Sequence, residues 1–107
     1  MTRRPDTPGA HAFWALAEEI LTDAAVEEGT MMGMACLRRD GDFLASYFRR
    51  DDAMIARVGE VAATALIESG VGNPFAPAQK VFKGWVAVPF DRASHWRAVL
   101  RGALGPE

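Results

Sequence analysis

The stretch Phe75-Ala-Pro-Ala-Gln-Lys-Val-Phe-Lys-Gly-Trp-Val-Ala-Val-Pro-Phe90 decides how the chain is read. Pro77 fixes its own φ and pushes Ala76 out of the α region, so the segment opens as extended or turning backbone. Residues 80–88 then carry Val81, Phe82, Trp85, Val86 and Val88 along a pleat, and Pro89 ends the strand. Asp91 offers an N-cap for a helix from residue 92. In that helix Trp96, Val99, Leu100, Ala103 and Leu104 form one apolar stripe, with Arg92, Arg97 and Arg101 elsewhere. The stretch holds no nucleophile motif, metal cluster or phosphate loop.

Working outward, Thr7-Pro8 reads as an N-cap with proline at the first helical position, after a polar N-terminal segment of residues 1–7 that is expected to fray. Phe13, Leu16, Ala17, Ile20, Leu21 and Ala24 then predict an amphipathic helix ending near Gly29. Residues 30–37 read as one strand with Gly33 in its middle. Asp40-Gly41 is a hairpin turn into a strand over 43–48, and residues 53–58 complete a three-stranded antiparallel meander. A helix over 59–69 comes next, with Val61, Ala62, Ala65 and Leu66 as its apolar face and Gly70 as its stop. Residues 71–79 form a loop. The expected order is α-βββ-α-β-α, an α+β fold with helices packed on an antiparallel sheet of a meander plus a fourth strand.

Composition narrows the function classes. A chain of 107 residues, half apolar and 24% charged, is one ordinary globular domain over residues 1–107. Twelve basic against fourteen acidic side chains leave a net charge of −2, without the basic excess of an electrostatic nucleic-acid binder. One cysteine, Cys36, excludes an intramolecular disulfide and any multi-cysteine zinc site. No apolar segment follows the N-terminal arginines and no run of about 18 apolar residues occurs, so neither a signal peptide nor a membrane span is expected. The cytoplasm is the expected location.

Several short pieces, taken in order, resemble the N-terminal domain of the TfoX/Sxy bacterial competence regulators, with the YjbR-like group as a related alternative. These are Met31-Met32-Gly33 before a strand, the Asp40-Gly41 turn, Ile55-Ala-Arg-Val-Gly-Glu60 leading into a helix, Pro74-Phe75, and Lys83-Gly84-Trp85. The likeness covers about residues 10–104. It implies the α+β fold and a regulatory role through protein contacts, in a chain without the second, C-terminal domain of the full-length regulators. Met32 stands where the family usually has phenylalanine.

The chemistry-bearing residues do not assemble. Cys36 in an apolar strand reads as core, and His11 and His95 lie on helix flanks without metal-ligand spacing. Asp40 and Asp42 sit roughly 20 Å of strand away from Asp51 and Asp52, too far for a paired acid–base site. Arg38-Arg39 and Arg49-Arg50 cap opposite ends of one hairpin and are followed by aspartates, so they form no single basic stripe. The expected interaction surface comprises Met32, Gly33, Tyr47, Lys83 and Trp85, using methionine adaptability and a large aromatic anchor. The leading expectation is a non-enzymatic interaction domain without cofactor or metal, contacting a protein partner or a second copy as a homodimer, without direct nucleic-acid or membrane binding. The alternative is a small-molecule-binding domain or minor enzyme with its pocket between the sheet and the 71–79 loop.

Overall fold

Asp23 stops the first helix well short of Gly29. The computed structural model describes residues 6–31 and 33–105. In it α1 spans Pro8–Ile20, with the Thr7 side chain accepting from the Ala10 N–H as expected of the cap. Past the helix the Asp23 N–H donates to Ile20 O at 3.0 Å, and the Asp23 carboxylate accepts from the Ala25 N–H at 2.9 Å. That side-chain turn leads the backbone out of the helix.

Two expectations are corrected beyond this turn: the helix does not reach Gly29, and residues 30–37 are not a single strand. Val26–Met31 is a strand of its own, β1, pairing with β2, Met34–Arg39, as a hairpin closed between Met31 and Met34. In β1 only Val26 is fully buried, while Glu27, Glu28 and Thr30 are exposed. Such a one-sided strand leaves little apolar signal to separate it from the helix before it.

The Asp40-Gly41 turn is as expected. Both residues have positive φ, 53° and 87°, the geometry whose twist matches that of the flanking strands. It leads into β3, Asp42–Phe48, followed by β4, Ala53–Arg57, and α2, Glu60–Glu68. A two-residue strand β5, Asn73–Pro74, replaces part of the expected loop. β6 is Trp85–Pro89, shorter than the expected strand over 80–88. The Phe82 N–H donates to Phe75 O at 2.9 Å, which closes the chain between them into a loop rather than a strand. Asp91 caps nothing: a 3₁₀ turn, Phe90–His95, leads into α3, Trp96–Leu104.

The fold is α+β, with the six strands in one antiparallel sheet of order β1-β2-β3-β4-β6-β5 instead of four. Helices α1 and α3 cover one face. Phe13, Leu16, Ala17 and Ile20 of α1 meet Leu37, Tyr47, Met54, Val86 and Val88 of the sheet and Trp96, Val99 and Leu100 of α3. Helix α2 packs on β6 and β5 and buries only Ala63 fully, with Leu66 and Ile67 half-buried. The apolar face expected for it is therefore largely in solvent: Ala62 and Ala65 are exposed and Val61 is 87% exposed.

Trp96 pins the helical layer to the sheet. It is 2% exposed, its ring lies 6.3 Å from Tyr47 and 5.8 Å from Phe90, and its Nε1–H donates to Val88 O on β6 at 2.9 Å. Trp96→Ala should lower stability by about 3–5 kcal/mol, read from the denaturant midpoint. An unchanged midpoint would mean that α3 does not anchor the sheet.

Candidate interaction face

Cross-strand pairing fixes which side chains share the face away from α1 and α3. One row runs across the sheet as Gly29, Cys36, Ser46, Ile55, Ala87 and Asn73, each paired with the next. Apart from Ile55 and Asn73, these are small side chains. On one side of this row stand Met31, Met34 and Phe48; on the other stand Arg38, Phe43, Arg57 and Trp85. The longer side chains close over the small ones, and Cys36, Ser46 and Ile55 have no exposed surface.

The closure is aromatic. Phe43 of β3 and Trp85 of β6 stack with centroids 4.4 Å apart and planes within 5°. Their strands are separated by β4, so the backbones lie roughly 10 Å apart and the two rings must lean towards each other across β4 to meet. Phe75 continues the stack on the other side of Trp85 at 5.6 Å, with planes within 8°. Phe48 and Phe82 abut Phe75 edge-on at 5.0 and 5.4 Å, an arrangement favoured by ring quadrupoles. At the β1 side Arg38 takes over the lid. A Cβ on Gly29 would come within 2.8 Å of the Arg38 side chain, and the guanidinium donates to Thr30 O at 2.7 Å and Gly41 O at 3.0 Å.

Met31, Met34, Phe43, Phe82 and Trp85 remain half-buried at the outer surface of this layer, and Val81 beside them is 58% exposed. Lys83 is exposed and shares with Glu60 and Thr64 the rim of a cleft of about 250 Å³ beside Trp85. Gly84 is required where it stands. Its φ is +82°, which L side chains rarely adopt, and its carbonyl accepts from both Val58 and Gly59 N–H at 2.9 Å.

Of the five residues expected on an interaction surface, Trp85 and Lys83 lie together, and Gly33 is exposed in the β1–β2 turn. Met32 lies outside the described residues. Tyr47 departs from the expectation: it is 2% exposed and belongs to the helix-covered core. The cause is a bulge. β3 pairs Ala45 with Leu37 but Phe43 with Arg38, leaving Leu44 as an extra residue. Phe43 thereby joins Ser46 on one face while Tyr47 turns to the helices. Phe75, Phe82 and Val81 are face residues that the expected set omitted; Phe75, Phe82 and Trp85 recurring within one Pro/Gly-rich loop was the available signal.

Tyr47 has a definite task there. Its hydroxyl donates to the Asp52 carboxylate in a short hydrogen bond and accepts from Thr7 Oγ1 at 3.1 Å, and Thr7 in turn caps α1. Asp52 is thus a structural acceptor rather than a merely solvated turn charge. The thiol and the imidazoles are kept apart by the sheet: Cys36 is on the helix-free face, whereas His11 and His95 are exposed at the helical layer. Burial, opposed in part by the charge of Arg38, raises the Cys36 pKa and holds it as a thiol. Among the described residues no group of three His, Cys, Asp or Glu could hold a metal ion, and no helix is long and apolar enough to cross a membrane.

Comparison with protein-family models, with curated proteins and with solved structures finds no match to this chain.

Burial first, and the hydrogen bond to Asp52 second, push the Tyr47 phenol above its ordinary value of about 10. A raised acid stays protonated in the folded state. Its contribution is therefore complete below the ordinary phenol range and is lost as pH rises through the folded value. Tyr47 is the only tyrosine in the chain, so phenolate absorbance reports it directly. The absorbance should rise only above the ordinary range, together with unfolding, and Tyr47→Phe should flatten the alkaline loss of stability. A phenol titrating normally in folded protein would refute the assignment.

Proposed function

We propose that the chain is a non-enzymatic interaction module that works through protein–protein contact made by the helix-free face of its sheet. The observation that carries this reading is the outer surface of the aromatic layer, where Met31, Met34, Phe43, Phe82 and Trp85 are half-buried and Val81 is largely exposed on one side of the molecule. Methionine and aromatic side chains enrich the cores of protein interfaces, since they offer large adaptable apolar area at small entropic cost. A protein occupant fits better than a nucleic acid. Base stacking needs ring faces in solvent, whereas Trp85 is stacked against both Phe43 and Phe75. The resemblance to the TfoX N-terminal domain supports the same reading, because Lys83-Gly84-Trp85 and Pro74-Phe75 bound the loop that builds this surface. A regulatory role, acting in the cytoplasm, follows from that resemblance.

The simplest occupant to measure is a second copy of the chain. Light scattering and sedimentation of purified protein, repeated for Val81→Lys and Met34→Lys, read the contact directly. Both variants should keep the circular dichroism spectrum of the parent. Each should weaken association at least about tenfold, the cost of placing an ammonium in an apolar contact. For a different protein partner, a photo-crosslinker at position 81 should capture it while one at exposed Ala12 on α1 does not. Association indifferent to both lysines, or equal capture from both positions, would overturn the proposal.

A further inference from the structure

Helix α2 is held to the sheet far more weakly than its neighbours. It has nine residues, as α3 does, yet α3 buries Trp96, Val99 and Leu100 while α2 buries Ala63 alone. A helix this short does not persist in water by itself and depends on packing. Hollows flank that single buried residue. On one side a groove of about 340 Å³ lies between Ala62, Ala65 and Leu66 and the α3 residues Ala98, Val99 and Gly102. On the other, the cleft of about 250 Å³ beside Trp85 runs along Thr64 and Ile67. Gly59 gives the helix no side-chain cap, and among the described residues no ion pair ties it to another element.

Both ends of α2 are glycine pivots. Gly59 and Gly70 have φ of 94° and 84°, and a Cβ on either would meet nothing within 4 Å, so the chain has room to rotate there. The Gly59 N–H is bonded to Gly84 O, which keeps the entry in place while the helix beyond it turns. We propose that α2 is a strap that swings away from β5 and β6 on these two pivots while the rest of the fold stays closed. Opening breaks the bonds from Val71 and Gly72 N–H to Leu66 O and uncovers Ala63, Leu66 and Ile67. Once undocked, the helix loses its internal hydrogen bonds as well. Ala63 and Ile67 wall the cleft that also holds Val81, Phe82 and Trp85, so the open form adds apolar area to the interaction face. This last step rests on the protein-contact reading: a partner seated at Val81 gains contact in the open form and binds it more tightly.

The test is amide hydrogen exchange of the full chain in increasing denaturant, below the unfolding transition. Amides of residues 63–68 should exchange through a local opening that responds weakly to denaturant, whereas those of α1 and β4 exchange through global unfolding. Ala62→Gly, at an exposed position outside the cleft, should speed exchange in α2 about fivefold. Ala65→Leu, which fills the groove against α3, should slow it. Sedimentation should show association tightened by Ala62→Gly, by up to about fivefold, and weakened by Ala65→Leu. Exchange of α2 only through global unfolding, with the denaturant slope of β4, would overturn the strap. Association unmoved by Ala62→Gly, where Val81→Lys still weakens it, would overturn the link to the face. Association indifferent to Val81→Lys would instead remove the protein-contact reading and leave the strap to be decided by exchange.

Discussion

The structure depends on strands β4 and β6 being apolar on both faces. Met54 and Ala56, with Val86 and Val88, point to the helices, while Ala53 and Ile55, with Trp85 and Ala87, point away. A strand pair of this kind must be covered twice, and each covering removes apolar surface worth about 25 cal/mol per Å² from water. One cover is the helical layer, pinned by Trp96 on the Val88 carbonyl. The other consists of the loop carrying Phe75 and Phe82 and of aromatic side chains folded over the sheet from its own strands.

The second cover is thin, so part of it stays in solvent. Helices bury their stripe behind a polar outer face, whereas a lid of side chains one residue deep exposes part of each member. Phe43 and Trp85 can hide Ile55 completely and still remain half-exposed themselves. The Gly84 turn fixes the lid to the rest of the molecule by tying its carbonyl to the entry of α2.

Much of this was legible in the sequence where local chemistry and tertiary structure agree. Asp40-Gly41 has few alternatives to a tight hairpin turn, and the stripe from Trp96 to Leu104 is an unambiguous buried helix face. Legibility failed where a single residue changes the phase. By alternation Phe43 and Tyr47 should share a face, yet the bulged Leu44 sends them to opposite sides, and nothing local in residues 42–48 announces that insertion. The strand Val26–Met31 was hidden for a different reason: with Glu27, Glu28 and Thr30 in solvent, it carries the burial signal of an edge rather than of a core element. Residues 80–84 read as strand because Val81 and Phe82 are apolar, but Phe82 packs into the lid instead of pairing.

The two outer strands have a further consequence. Any sheet whose border is long, flat and apolar invites another chain to continue its hydrogen-bond ladder, the step that starts fibrous aggregation. Here one border is β1, with Glu27 and Glu28 in solvent, and the other is β5, only two residues long and ending in Pro74, which has no N–H to offer. Lateral growth is discouraged on both sides. The broad side can therefore keep its aromatic surface partly in solvent without the rims inviting polymerisation.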